Sequence, residues 1–409
     1  MQRRILFLTP QLPYPPEQGT AIRNYHLIAQ AATRYDVSLL SFAEPGATDP
    51  GPLAQICSRV EVVPAPRRSL AQRLRTLLAS RAPDMARRLA SEPFARTLRS
   101  MLAEGRYDTV QVEGIELAAY GLMLDDWPEA GAPALVFDDH NAEYLLQQRA
   151  FATDLRRPRR WPQAAYSCAQ WLRLRRFERQ VCRRADAVLA VSEMDARAIR
   201  RLAPEIEPLA IPNGVDTQGY RTDLPDSLPL RHPNLVFTGK MDFRPNIDAM
   251  RWFHAQVWPE IRRRAPQVQL YIVGKAPHPE VQRLAEEPGI TVTGYVSEIL
   301  PYFGGADVYI VPLRVGGGTR LKVLEALATG LPMVSTRLGA EGIELVDGEH
   351  ALLADTPGAF AEAALRLLHD EALRQRLGRQ ARAFAEEHYD WRQIVPRLYP
   401  LYDRLAPRR

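Results

Sequence analysis

Short apolar runs, each cut off by a glycine, a proline or a polar turn and followed by a stretch of helical spacing, recur along the whole chain. Runs of this length between turn formers read as buried strands. Strands that alternate with helices build parallel sheets covered on both faces. In the first half they fall at 4–9, 37–42, 60–63, 109–112, 134–137 and 187–191. In the second they fall at 235–238, 269–273, 290–293, 307–311, 333–335 and 351–353, with the clearest helix at 247–264. Between the two series, 217–233 is polar, punctuated by proline and without periodicity, as an interdomain connection would be. A chain of 409 residues also exceeds one ordinary core. The expected architecture is α/β, two doubly wound domains facing across a cleft: 1–215, a linker at 216–233, and 234–388. The last residues, 389–409, with Trp391, Tyr399 and Tyr402, read as a helical tail that packs back on the first domain.

Ligands of such sheets bind at the C-terminal ends of strands. The opening unit, a strand at 4–9, a proline-rich loop ending at Gly19 and a helix at 21–33, lacks a Gly-x-Gly-x-x-Gly and so is no dinucleotide fingerprint. The most informative stretch is Val311-Pro-Leu-Arg-Val-Gly-Gly-Gly-Thr-Arg-Leu-Lys-Val-Leu-Glu325. It reads as a strand end, a glycine turn at Gly316, Gly317 and Gly318, and a helix over 319–329. Bare backbone lets a ligand approach closely, and the helix start favours an anion. Arg320 and Lys322 place two cations against the helix dipole, which a bound phosphate would account for. The plain alternative is an ordinary strand-to-helix turn with solvated basic residues. Lysine occurs only at Lys240, Lys275 and Lys322, each just past a strand end, so parallel strands could bring all three to one crevice.

Charge is uneven. Residues 1–205 hold 29 basic and 23 acidic side chains, the remainder 24 and 25. The excess concentrates at 149–184, where eleven arginines face two acids among Trp161, Tyr166, Trp171, Leu172, Leu174 and Phe177. This suits an anionic membrane surface. Nucleic acid is the rival partner but no nucleic-acid motif accompanies the stretch, and a solvated helix face is the plain reading. No apolar run approaches the roughly 18 residues of a membrane span, and the run at 5–8 is too short for a signal peptide. Cys57, Cys168 and Cys182 have no metal-ligand spacing and fit a reducing cytoplasm as buried thiols. The expected location is cytoplasmic, at most peripheral on the cytoplasmic face of the inner membrane.

Taken in order, Ala190-Val-Ser-Glu193, Ile211-Pro-Asn-Gly-Val-Asp216, Phe237-Thr-Gly-Lys240, Tyr271-Ile-Val-Gly274, Gly294-Tyr-Val296, Ala306-Asp307 and the glycine stretch continuing to Val334 resemble the retaining, two-Rossmann-domain (GT-B) glycosyltransferases of family 4. The Gly19 loop and Asp139-His140-Asn141 match as well, and Gly-Gly-Gly-Thr-Arg-Leu-Lys-Val-Leu-Glu-Ala resembles a subgroup of surface-glycan and exopolysaccharide assembly. The resemblance implies an acceptor-side first domain and a donor-side second domain. It implies that Glu325 is the second glutamate of the family's Glu-x7-Glu pair, which holds the ribose hydroxyls, a task a carboxylate suits. The first glutamate's position is Gly317 here, a departure that leaves the sugar open. By the same resemblance Lys240 binds the donor diphosphate and His140 stands near the donor sugar. Arg320 and Lys322 are the candidates for the family's second diphosphate cation. Donor contacts are expected from Gly19, Lys240, Val296, Gly316, Gly317, Gly318, Thr319, Arg320, Leu321, Lys322 and Glu325, with His140, Lys240, Arg320 and Lys322 assisting transfer. No metal and no cofactor is expected beyond the UDP- or GDP-sugar donor, and the acceptor is a glycan or lipid-linked glycan. The alternatives are a nucleotide-sugar-binding partner in a glycan assembly complex, a nucleotide-sugar epimerase and, less consistent with so few lysines, a pyridoxal phosphorylase.

Overall fold

The computed structural model describes residues 2–17, 19–44, 46–69, 80, 82–127, 131–155, 158–224, 227–316 and 320–405. The chain divides into two compact units: Met1–Pro212 with Ile394–Arg409, and Asn213–Gln393. The stretch 217–233 lies inside the second unit, so the chain crosses near Pro212 and not through a long linker.

The first unit is built on seven parallel strands: β1 (Arg4–Thr9), β2 (Asp36–Ala43), β3 (Arg59–Pro64), β4 (Thr109–Glu113), β5 (Ala134–Asp139), β6 (Ala187–Ala190) and β7 (Leu209–Ala210). They lie in the order β3-β2-β1-β4-β5-β6-β7. The second holds β8 (Asn234–Thr238), β9 (Gln269–Val273), β10 (Ile290–Val292), β11 (Val308–Val311), β12 (Met333–Ser335) and β13 (Leu352–Leu353). These run β10-β9-β8-β11-β12-β13, again all parallel. Both are Rossmann-like doubly wound sheets. Central strands such as β4, β5, β8 and β11 are buried at every position, which explains why they read as unbroken apolar runs. Strand order reverses between β1 and β4 and between β8 and β11. Loops leaving those strands diverge to opposite faces and open a crevice at their C-terminal ends.

The helical reading of 247–264 holds with an interruption: Arg244–Trp252 and Trp258–Arg264 are α-helical, and Phe253–Val257 forms a π turn between them. Of the basic stretch 70–101, residues 70–79 and 81 lie outside the described part; the helix Glu92–Glu104, capped by Ser91, follows. Cys57 and Cys182 are buried free thiols, whereas Cys168 is only half-buried, since it lies at the margin of its helix's packed face.

Val215 pairs with Asp390 as a parallel bridge, so the chain leaves the second unit beside the point where it entered. The tail then returns to the first unit. There the Tyr35 hydroxyl donates to Asp403 Oδ1 at 2.9 Å, Arg34 pairs with Asp403 at 2.6 Å, and Leu398 and Tyr402 are buried.

At the switch point of the second sheet two glycines are indispensable. Gly239 and Gly274 follow β8 and β9, and a Cβ on Gly274 would stand 1.8 Å from the Gly239 carbonyl oxygen, at φ +148°. Gly274→Ala should therefore lower the melting temperature by roughly 5–10 °C, about 2–3 kcal/mol. Gly358→Ala, whose Cβ meets nothing within 4 Å in the helix Pro357–His369, should leave it unchanged or slightly raised in the same scan.

Candidate functional site

The second unit gathers most of the expected donor residues around that glycine contact. Gly239 N donates to Val273 O at 3.0 Å and Met241 N to Lys275 O at 2.9 Å, which sets Lys240 and Lys275 side by side on the exposed rim. Lys240 Nζ lies 3.4 Å from Asp242. Lys322 enters from the helix Leu321–Ala328 after β11. Its ammonium donates to Thr238 O at 2.6 Å and Asn246 Oδ1 at 3.0 Å and sits 4.2 Å above the Phe237 ring. A Cβ on Gly239 would come within 2.8 Å of it. The three lysines thus border one stretch of backbone, but in different settings: two on the rim, one held beneath it.

Burial pulls the Lys322 amine down to about 7, with the Glu325 carboxylate opposing that shift. At neutral pH the group is poised between charged and neutral, and an arriving anion would draw a proton onto it. Glu325, one turn further along the same helix face, accepts a hydrogen bond from the Tyr220 hydroxyl at 3.2 Å. Burial raises its pKa, while Tyr220 and Lys322 hold it down. Arg320 is buried just before the helix, and its guanidinium abuts Gly316, whose Cβ would lie 3.2 Å from Nη2 and from Pro245. Gly316 itself has φ +115° and is exposed. Burial lowers the Arg320 pKa and the charge of Glu341 opposes this. Leu321 and Val296 are half-buried against the second core. Gly317, Gly318 and Thr319 lie outside the described residues.

Sequence reasoning missed the anchors of this loop. Arg314 forms a two-point pair with Asp248 at 2.9 and 3.2 Å and lies over Trp252, tying the glycine turn to the helix Arg244–Trp252. Asn246 bridges Lys240 O and Lys322. Arg244, Pro245 and Asn246 follow β8 in the sequence, but nothing local shows which of them bonds to a lysine 76 positions away from Asn246.

The first unit carries His140 at the end of β5 and Gly19 at the exposed start of the helix Gly19–Ala31. A cavity of about 480 Å³ opens at the ends of β1, β2, β4 and β5; His140, Thr20, Glu44, Arg88, Glu116 and Glu143 are on its wall. Four chemically distinct groups stand behind it. His140 Nε2 meets Glu113 Oε2 at 2.8 Å, with Glu113 completely buried on β4. Arg23 clamps Asp138 through Nε at 2.9 Å and Nη2 at 3.1 Å and donates to Ile211 O at 3.0 Å. Burial pushes the His140 imidazole down, but the Glu113 hydrogen bond and the Asp138 and Glu113 charges outweigh it, so its pKa is raised. Glu143 is pushed up to about 7 by burial and then by Glu116. Burial and then the Glu178 charge raise Asp139, whereas burial raises Glu178 and Asp139 opposes that shift.

Glu113, Asp138 and His140 offer ligand atoms within 4.8 Å of one another, the one group among the described residues with metal-binding geometry. A divalent ion there would have to displace the Arg23 guanidinium from both oxygens of Asp138, so an arginine already supplies the positive charge.

Residues 18–214 match the model of the glycosyl transferase 4-like domain, and residues 232–370 that of the glycosyl transferases group 1. Both domains are glycosyltransferase domains. A GDP-mannose-dependent alpha-(1-6)-phosphatidylinositol monomannoside mannosyltransferase of Mycolicibacterium smegmatis is 29% identical over 246 residues, 54% of this chain and 63% of that one. The chain spans about half to two thirds of the length of the curated relatives it matches. Among solved structures, sucrose-phosphate synthase from Thermosynechococcus elongatus superposes with TM-score 0.71 at 18% identity, over 99% of each chain. Anabaena HepE, in complex with UDP and glucose, gives 0.66 at 16%, over 99% of this chain and 100% of its own. At these identities the structures share the fold with this chain.

The Arg23–Asp138 pair holds the first domain's site together. Arg23→Met leaves a buried, unpaired carboxylate and should cost about 3–5 kcal/mol in denaturant unfolding. The double variant Arg23→Met/Asp138→Leu should recover at least half of that loss.

Proposed function

We propose that this chain transfers a sugar from a UDP- or GDP-sugar to a hydroxyl of a glycan or lipid-linked acceptor, with retention of configuration and with protein cations in place of a metal. The observation that carries the reading is the pairing of Lys322 and Glu325 on one face of the helix that leaves β11 at the switch point. A cation poised near neutrality and a carboxylate one turn away suit a diphosphate and the ribose hydroxyls attached to it. Departure of the nucleoside diphosphate builds negative charge, which Lys240, Arg320, Lys322 and the backbone of the glycine turn would stabilise. Retention rests on the motif resemblance. HepE, solved with UDP and glucose, and the GDP-mannose-dependent relative mark the two nucleotides to test first.

The acceptor belongs to the first domain's cavity on this reading. Its wall carries Glu44, Glu116 and Glu143, which suit hydroxyl donors and repel phosphate, so a sugar end of the acceptor fits better than its phosphate. Surface-polysaccharide assembly, on the cytoplasmic face of a membrane, is the process this chemistry would serve.

A donor screen reading nucleotide release and acceptor elongation, with and without EDTA, tests the proposal. Release stimulated by acceptor and insensitive to EDTA is expected. Arg320→Ala and Lys322→Ala should each reduce turnover by about 10²–10³-fold with the fold intact by circular dichroism. Tight nucleotide binding without transfer would instead indicate a binding partner.

The basic stretch is resolved into two faces by its helices, Glu143–Leu155 and Trp161–Arg184. Ala164, Ser167, Gln170, Leu174, Glu178, Val181 and Cys182 are buried, and Trp171 and Phe177 are half-buried against the core, so these aromatics belong to packing. Trp161 and Leu172 are exposed, at 59% and 50%. At about 100° per residue Trp161, Leu172 and Arg179 project within about 20° of one another, flanked by Arg175 and Arg176. We assign this face to an anionic lipid surface. Among the described residues no helix is long and apolar enough to cross a membrane. Cosedimentation with phosphatidylglycerol vesicles should fall steeply between 50 and 300 mM salt, as the Debye length shrinks from about 14 Å to about 6 Å. Trp161→Ala with Arg175→Ala and Arg179→Ala should abolish it; binding that ignores both salt and these changes would refute the assignment.

A further inference from the structure

A line of buried polar side chains runs from the C-terminal tail to His140. Tyr402, on the helix Tyr399–Arg404, donates its hydroxyl proton to Gln111 Oε1. Gln111 Nε2 donates to Glu113 Oε1 at 2.7 Å, and the other oxygen of Glu113 meets His140 Nε2 at 2.8 Å. Tyr402, Gln111 and Glu113 are each 1% exposed or less, whereas His140 reaches the cavity. Gln111 and Glu113 are two apart on β4, so their side chains leave the same face of the sheet. Placing polar groups at two core positions of a central strand is costly unless each is satisfied, and here each partner satisfies the next.

We propose that Tyr402 and Gln111 are positioning residues for His140: they fix the rotamer of Glu113, and Glu113 fixes the imidazole at the cavity wall. Each link has one sense. Tyrosine has a single proton to give; Gln111 accepts it on oxygen, which turns its amide nitrogen toward Glu113. Glu113 then presents a carboxylate oxygen to Nε2, so Nε2 carries the proton. Nδ1 is left on the side of Gly114, whose Cβ would come within 3.6 Å of it. At φ +82° that position favours glycine, and Glu116 Oε2 would lie 3.1 Å from the same Cβ. A tail that has already passed through the other domain therefore completes the first domain's site. The inference rests on the proposed role of His140 only for its consequence in turnover; the alignment of the ring is a property of the free protein.

The charged and titratable groups facing His140 are Glu113 on β4, Asp138 on β5, Arg23 on the first helix, Glu116 in the loop after β4 and Glu143 on the helix after β5. Of these, only Glu113 bonds to the ring. Removing the Tyr402 hydroxyl lets the Gln111 amide turn, and Glu113, losing a fixed donor, holds its charge less well beside the imidazole.

The test is a pH titration of ¹⁵N-histidine-labelled full-length chain by NMR, with the His140 ring assigned from His140→Gln. In the parent the ring should titrate above its ordinary value of about 6.5 and carry its proton on Nε2 when neutral. Tyr402→Phe and Gln111→Leu should each lower the midpoint by about half to one pH unit and mix the tautomers; Glu113→Gln should remove the upward shift. Tyr35→Phe, which loosens the same tail at Asp403 without touching Gln111, controls for loss of packing and should leave the ring unchanged. An unchanged midpoint in Tyr402→Phe and Gln111→Leu, or an equal shift in Tyr35→Phe, overturns the proposal. Turnover is read separately. A ring shift without any glycosyl transfer would keep the alignment and refute the proposed reaction, and transfer with an unshifted ring would do the reverse.

Discussion

Parallel pairing is the constraint from which the rest of this structure follows. Parallel strands cannot be joined by a tight turn, so every strand in both sheets must be followed by a crossover, and every crossover leaves from the same edge. Residues placed just after β1, β4 and β5 are thereby forced together in the first domain, and those after β8, β9 and β11 in the second. The Gly239–Gly274 contact is where this convergence is tightest. Two chains leave neighbouring strands with less room than one methyl group needs, and the lysines that follow them are carried to a common rim. Side chains scattered over 86 positions, from Gly239 to Glu325, are brought into one region of the second domain for that reason.

The two domains solve their charge problems differently. In the first, Arg23 is buried against Asp138 on β5, Glu113 is buried on the neighbouring β4, and Asp139, beside Asp138, has its carboxyl raised by burial and by Glu178. Buried ionic groups on this scale cost more than an apolar core of similar volume, and such a cost is retained where the groups have work to do. In the second, the cation is a lysine kept near neutrality by burial and steadied by a carbonyl, an amide and a ring face. An arginine could not be held so close to losing its charge. That choice of lysine, in a chain with 53 basic residues and only three lysines, gains a physical meaning from the structure.

The strand series was legible residue by residue: β1, β4, β5, β8, β9 and β11 begin or end within a residue or two of where apolar runs meet turn formers. Legible too were the need for glycine at Gly316, with its positive φ, the helix Leu321–Ala328 and Glu325 one turn beyond Lys322. The short strand β7 escaped because two residues carry no pattern. The apolar residues of 149–184 could be counted but not sorted, since Leu174 and Leu172 look alike in the sequence and lie on opposite faces of one helix. Glu113 was unremarkable as the last residue of an apolar run, and Gln111 and Tyr402 carry no local sign of each other across 291 positions.

The sequence by itself therefore determined the class of fold, the alternation that makes it parallel and the place of the glycine-rich stretch after β11, because periodicity and backbone freedom are local properties. Only the tertiary structure decided which polar side chains are partners. Hydrogen bonds between β4 and the tail, between Asn246 and Lys322, and between Arg23 and Asp138 depend on distances set by packing, not by spacing along the chain. The burial that moves Lys322 toward neutrality, and the Glu113 contact that moves His140 away from it, exist only once those elements have met.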